Sequence, residues 1–225
     1  MKAIHVLNKI YCYADGEIEG AVNFLAVTSV GNSAFRGCKS MTAFNAPALV
    51  TIDEYGFYDC WDMQSITVPS LENVKMYGLG NCYSLSSLNL PAIKNISNRA
   101  LSYPRDLALL RLGPNLQFIG DEVFYTINNQ TVNGISVTIN ENQLELYFEG
   151  TDLTSSKPNI QIKAFGYQYQ NSGQTATYYI PFKFKKIYVP SSALEDYKSK
   201  LKARIKVDGA DGEYSYWDAG LVEGI

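Results

Sequence analysis

The stretch Val27-Thr-Ser-Val30-Gly-Asn-Ser-Ala-Phe35-Arg-Gly-Cys38-Lys-Ser-Met41-Thr-Ala-Phe44-Asn-Ala46-Pro47 decides the fold, because the chain goes on to repeat its pattern. Val30, Ile52, Val74 and Ile96 are spaced 22 residues apart, as are Phe35, Phe57, Leu79 and Leu101. Met41, Met63, Leu85 and Leu107 form a third apolar column; Phe44, Ile66, Leu88 and Leu110 a fourth; Ala46, Val68, Leu90 and Leu112 a fifth. Pro47, Pro69 and Pro91 close three successive units, and a further unit begins at Leu116, with Ile119 and Phe124 in the matching places after one extra residue. A coil of this length cannot bury its own apolar side, so each coil must cover its neighbours. The pattern therefore predicts a solenoid.

Within each unit, positions 44 and 46 and their equivalents are apolar and two apart, the spacing of a strand with one face turned inward. Stacked coils would join these strands into a parallel sheet at about 4.8 Å per step. Its outward positions are Asn45, Thr67, Asn89 and Arg111, with Ala43, Ser65, Ser87 and Leu109 beside them. The segments 32–37, 53–59 and 97–102 are too short for a standard helix. They read as single helical or 3₁₀ turns with Asn32, Asp53 and Ser97 placed to cap them.

The quoted unit and its successor Val50-Thr-Ile-Asp-Glu-Tyr-Gly-Phe57-Tyr-Asp-Cys60-Trp-Asp-Met63 resemble BspA-type leucine-rich repeats. Leu88-Asn-Leu-Pro-Ala92 fits the same pattern, and Ile187-Tyr-Val-Pro-Ser-Ser-Ala-Leu-Glu-Asp-Tyr197 is similar to the segment that often closes such arrays. The resemblance covers residues 27–126 and 187–198. It implies an α/β-type repeat solenoid: a right-handed leucine-rich-repeat coil of strand and short helix, with a parallel sheet and capped ends. It also implies a bacterial surface protein that contacts host proteins or other cells, or a prophage-encoded protein, and it carries no catalytic residues. The expected organisation is one continuous domain: an N-terminal cap over 1–26, repeats over 27–126, a degenerate repeat with an insertion over 127–190, and a C-terminal cap over 191–225. From Asn128 to Tyr179 the period is lost, though alternation in 135–139 and 144–148 predicts strands. Residues 193–201 read as a helix.

Composition narrows the function classes. A net charge of −3 provides no basic field to attract nucleic acid or anionic lipid. No apolar run approaches the roughly 18 residues of a membrane span, and Met1 to Ile10 does not read as a secretory signal. The basic cluster Lys183, Lys185, Lys186, Lys198, Lys200, Lys202, Arg204 and Lys206 reads as the solvated face of a helix and its surroundings. Cys38, Cys60 and Cys82 stand one per coil, so they point in parallel and read as buried thiols acting as small hydrophobes; the state of Cys12 is open. The single histidine, His5, falls in the expected cap, away from any nucleophile. The carboxylate pairs Asp53/Glu54 and Asp121/Glu122 stand where helical turns start, which favours capping over the acid/base work of a glycoside hydrolase.

What remains is a non-catalytic recognition module, expected as a monomer with no metal or cofactor. Its partner is a protein or a glycan, with no role for nucleic acid or membrane insertion. The expected sheet-face contacts are Asn45, Ser65, Thr67, Ser87, Asn89 and Arg111. A second candidate is the aromatic group Tyr167, Tyr169, Tyr178 and Tyr179, with Tyr188 beside it, either a recognition surface or a cover for the last coil. The setting is the cell surface or the secreted fraction of a bacterium, with an intracellular or phage-encoded receptor-binding protein as the alternative.

Overall fold

The computed structural model describes residues 4–6, 9–11, 18–125, 130–132, 135–137, 143–151, 158–161, 164–170, 177–181, 184–209, 212–215 and 219–225. Two columns of short parallel strands run along the molecule. One is an eight-stranded sheet whose rungs include Ser29–Val30, Thr51–Ile52, Asn73–Val74, Asn95–Ile96, Phe118–Ile119 and Asn159–Ile160. It starts with the antiparallel pair Ile4–Val6 and Lys9–Tyr11, the latter lying parallel to Ser29–Val30. The other column is the one expected from positions 44 and 46. It comes as a three-stranded sheet (Gly20–Asn23, Met41–Asn45, Ser65–Thr67) and a five-stranded sheet (Ser87–Leu90, Leu109–Leu112, Glu145–Phe148, Lys186–Val189, Val222–Gly224).

The inward columns fill a single core. Phe44, Ile66, Leu88, Leu110, Leu146, Ile187 and Val222 follow one another coil by coil, all buried. Phe35 and Phe57 stack at 5.1 Å with rings only 4° from parallel, and Phe44 meets Phe57 edge-on at 4.7 Å. The Cys38, Cys60 and Cys82 thiols are buried and not in disulfides. Cys60 Sγ donates to the Phe35 carbonyl at 3.1 Å, and Cys82 Sγ to the Phe57 carbonyl at 3.3 Å. Burial pushes both thiols above their ordinary range, so they stay protonated and unreactive. Pro104, with no donor to offer, takes the fourth place in this ladder. A small apolar cavity lies there, lined by Leu79, Cys82, Leu85, Leu101, Pro104 and Leu107.

The third wall differs from the expected helical turns. No α- or 3₁₀-helix occurs between residues 18 and 125. The i→i−3 bonds of a 3₁₀ turn are present, as in Gly56 N–H to Asp53 O and Tyr58 N–H to Tyr55 O, but only at every second amide. The amides between them donate to the next coil: Tyr55 to Met76, Phe57 to Gly78, Asp59 to Gly80. Residues in left-handed backbone redirect these amides, Ser33, Tyr55, Tyr77 and Arg99 in one column and Gly37, Asp59, Asn81 and Tyr103 in the next, with φ from 54° to 76°. Such a conformation costs on the order of 1–2 kcal/mol for an L-residue. A further inter-coil ladder offsets that cost and leaves these backbone donors paired. The capping roles differ accordingly: Asp53 is ion-paired with Lys75 at 2.7 Å, and Asn32 Oδ1 accepts the Ser33 hydroxyl.

The loss of period after Asn128 is not a loss of coils. Glu145–Phe148 and Lys186–Val189 continue the second column in register, and Asn159–Ile160 continues the first. Among the described residues, three antiparallel hairpins interrupt the sequence between rungs: 130–132 with 135–137, Gly166–Gln170 with Thr177–Pro181, and Lys206–Gly209 with Gly212–Ser215. At the far end, 3₁₀ residues Ser191–Ala193 lead into the helix Leu194–Ile205. Buried Tyr197 anchors that helix, its ring 5.1 Å from Phe148 and its hydroxyl donating to the Gly150 carbonyl at 3.0 Å. Among the described residues no helix is long and apolar enough to cross a membrane.

Candidate functional site

The strand alternation that buries Leu88, Leu110, Leu146 and Ile187 sends the residues between them outward in one file. Parallel register places Asn89 beside Arg111, Arg111 beside Tyr147, Tyr147 beside Tyr188 and Tyr188 beside Glu223. On the three-stranded side Asn23, Asn45 and Thr67 continue the file. The structure therefore brings the expected sheet-face residues onto one surface. Ser65, Thr67, Ser87 and Asn89 are exposed, while Asn45 and Arg111 are half-buried. No ladder joins Ser65–Thr67 to Ser87–Leu90, so the surface has two backbone-bonded parts.

The parts have different chemistry. Asn45 Nδ2 donates to Asn23 Oδ1 at 3.0 Å, a side-chain amide bridge in a field of short residues. Further along, the side chains are large and stacked. The Arg111 guanidinium lies 3.9 Å over the Tyr147 ring, and Tyr147 stacks on Tyr188 at 4.4 Å with 22° between the planes. Flanking charges are paired: Lys185 with Glu145 at 2.8 Å and Lys186 with Glu223 at 3.1 Å. The hydrogen bond from Lys185 holds the Glu145 carboxyl below its ordinary value. Desolvation, then the Glu145 charge, raises the Tyr147 phenol. Arg111 is paired more loosely: its ion-pair partner Glu149 is 3.9 Å away, beyond hydrogen-bond reach.

Tyr147 extends the expected site, and Tyr188, expected with the aromatic group, joins it on the strand face. The signal was present: aligning Leu146-Tyr-Phe148 and Ile187-Tyr-Val189 with Leu110-Arg-Leu112 puts both tyrosines in the place of Arg111. Of the second candidate group, Tyr169 stands opposite Tyr178, Tyr179 opposite Gln168 and Tyr167 opposite Ile180 on the 166–181 hairpin, apart from the sheet file. Their side chains lie outside the described residues, as does Cys12.

The turn wall carries a second aromatic belt whose cations are already engaged. Tyr55 and Tyr77 stack at 5.0 Å. Arg99 joins Glu122 and the Tyr77 hydroxyl, Arg105 joins Asp106, and Lys39 sits over Trp61. Behind this belt, Asn81 Oδ1, Tyr83 Oη and Ser102 Oγ are buried without a hydrogen-bond partner. The carboxylate pairs Asp53/Glu54 and Asp121/Glu122 belong to the same wall, with Glu122 held by Arg99. Among the described residues no group of three or more His, Cys, Asp or Glu is placed to hold a metal ion.

The sequence matches a family profile described as BspA type leucine-rich repeat region, in six copies over residues 28–153. No curated protein matches the chain. Among solved structures, the pneumococcal vaccine antigen PcpA is similar with a TM-score of 0.61 at 17% identity, covering 85% of this chain and 42% of that one. A leucine-rich repeat protein of T. pallidum, TpLRR, gives a TM-score of 0.49 at 19% identity, covering 63% of this chain and 62% of that one. A leucine-rich repeat protein from Bacteroides ovatus gives 0.39 at 13% identity, over 83% and 51%. The chain thus spans less than two thirds of each of these proteins.

Proposed function

Since the chain belongs to the BspA-type leucine-rich-repeat family, we propose that it is a non-catalytic recognition module that binds a protein or glycan partner across the outward strand face. The observation that carries this reading is the outward file of two parts, Asn45 with Thr67 and then Asn89, Arg111, Tyr147 and Tyr188, each part in register, on a scaffold whose opposite side is fully committed to the core. Such a file is open. It suits a large partner better than a small molecule, which needs a concave site to bury most of its surface. Tyr and Arg are also the side chains that most often dominate protein interfaces. A bacterial surface or secreted setting, with an adhesin-like role, belongs to the same proposal, and family membership supports it.

Screening the purified chain against host-protein and glycan arrays, alongside the variant N89A/R111A/Y147A, tests this reading. Binding by the wild type, lost in the variant while both melt at similar temperatures, is the expected result. Equal binding by both would move the site off this face. Labelling of intact cells with an antibody to the chain would test the setting; signal only after lysis would count against it.

A further inference from the structure

Resting on the strand face as the contact surface, we propose that the partner is a polypeptide presenting an Asp or Glu carboxylate to Arg111, with Tyr147 and Tyr188 as the rigid platform beside it. Three observations combine. First, the guanidinium is held in place without being used up. It lies 3.9 Å over Tyr147, its side chain is 38% exposed, and among the described residues no carboxylate approaches closer than its ion-pair partner Glu149 at 3.9 Å. Stacking orients the planar fork and leaves its N–H edge free for a bidentate pair with a carboxylate, the geometry for which arginine is best suited. The entropy of ordering this long side chain is thus largely spent before any partner arrives.

Second, both faces of the Tyr147 ring are covered. Arg111 covers one side of the Tyr147 ring and Tyr188 covers the other, while the register sets Glu223 beside Tyr188. A sugar ring binds an aromatic platform through its face, and here the faces are turned along the stack. What the stack offers outward is ring edges and phenol oxygens, which suit the carbonyls, amides and side chains of a polypeptide. Third, the charges around Arg111 are already balanced: Lys185 serves Glu145, and Lys186 serves Glu223. This part of the file therefore contains one cation whose hydrogen-bonding capacity is open, which favours a partner carboxylate at that point.

The experiment sorts a yeast-displayed library of random peptides of about twelve residues against the full chain and, separately, against Arg111→Ala. Peptides enriched on the wild type should share an Asp or Glu. Made singly, they should bind Arg111→Ala at least about ten-fold more weakly, the scale of a lost charge-assisted hydrogen bond. Arg111→Lys keeps the charge but loses the fork, and should recover only part of that affinity. Glu149→Gln removes the nearest competing carboxylate and should tighten binding, an effect a merely structural Arg111 would not produce. Enriched peptides without an acid, affinity unchanged in Arg111→Ala, or no enrichment over the Arg111→Ala sort would each overturn the proposal. Arg111-dependent binding of sialylated or uronate glycans, with no peptide bound, would overturn the polypeptide partner while leaving the strand face as the contact surface. Ligands indifferent to Arg111, Asn89 and Thr67 alike would overturn the strand face itself.

Discussion

The coils up to Tyr125 and the coils after it share one core but are built by different means. In the first region, from Val30 to Ile119, every coil is 22 or 23 residues long, with short outward side chains as far as Asn89. In the second, hairpins lengthen the loops between rungs, and the outward positions become Tyr147, Tyr188, Glu145 and Lys186. Yet Leu110 pairs with Leu146, and Leu146 with Ile187, in the same register as Leu88 with Leu110. Stacking needs the inward residues of each rung to meet those of the next and places little demand on the chain between rungs. Surface chemistry can therefore change sharply along a core that does not.

If the two regions are one cooperative unit, a core cavity in either should destabilise both. Phe57→Ala removes a fully buried ring stacked on Phe35 and edge-on to Phe44, and should cost about 3–5 kcal/mol; Leu146→Ala should cost about 2–5 kcal/mol. The sharper measurement follows Trp61 fluorescence during urea unfolding, in a Trp217→Phe background. Leu146→Ala should lower the midpoint reported by Trp61, although Trp61 sits in the first region. An unmoved midpoint would show that the regions unfold separately.

Alkali should act mainly on the first region. Burial raises the phenols of Tyr58, Tyr83, Tyr103 and Tyr125 there, and of Tyr197 in the second, with Tyr83 pushed up to about 12. A folded-state value above the unfolded one means stability is fully present below pH about 10 and is lost as pH rises toward about 12. Melting temperature should therefore be level from neutral pH to about 9 and fall above 10, with phenolate absorbance rising together with unfolding. Ionisation of all 17 tyrosines near pH 10 in the still-folded protein would contradict the burial of these rings.

How much was legible follows the same division. Five apolar columns in step disclosed the solenoid, its inward strand and the outward file from Asn45 to Arg111, because stacking writes a period into the sequence. The left-handed residues of the turn wall were not legible: Tyr55, Tyr77 and Arg99 are not residues that announce a positive φ, and only inter-coil hydrogen bonding requires it of them. Tyr147 was missed, and Tyr188 was grouped with the hairpin aromatics instead of the sheet face, for a different reason. The hairpins displace the count, and only the Leu-x-Phe and Ile-x-Val spacing at 146–148 and 187–189 ties them to Arg111.

Excising a hairpin tests whether it is incidental to the core. Gly166 and Pro181 face each other at its base, so replacing 167–180 with one glycine should preserve both flanking rungs. Melting should shift by no more than about 4 °C, the scale of 1 kcal/mol in a chain of this size. Loss of a cooperative transition would make the hairpin part of the core. Loss of partner binding alone would return the contact surface to Tyr167, Tyr169, Tyr178 and Tyr179.

The smallest expected effect comes from Tyr83→Phe. Tyr83 Oη is buried and without a hydrogen-bond partner, while its ring packs near Trp61 at 6.0 Å and lies under Arg105 at 5.5 Å. Removing the hydroxyl keeps both ring contacts and relieves an unpaired polar atom, so neutral-pH stability should change by less than about 0.5 kcal/mol or rise slightly. The same change removes one phenol that resists ionisation, so the alkaline limb of the melting curve should move to higher pH. A clear loss of neutral-pH stability would show that the hydroxyl has a partner after all. An unmoved alkaline limb would assign that sensitivity to Tyr58, Tyr103 and Tyr125 instead.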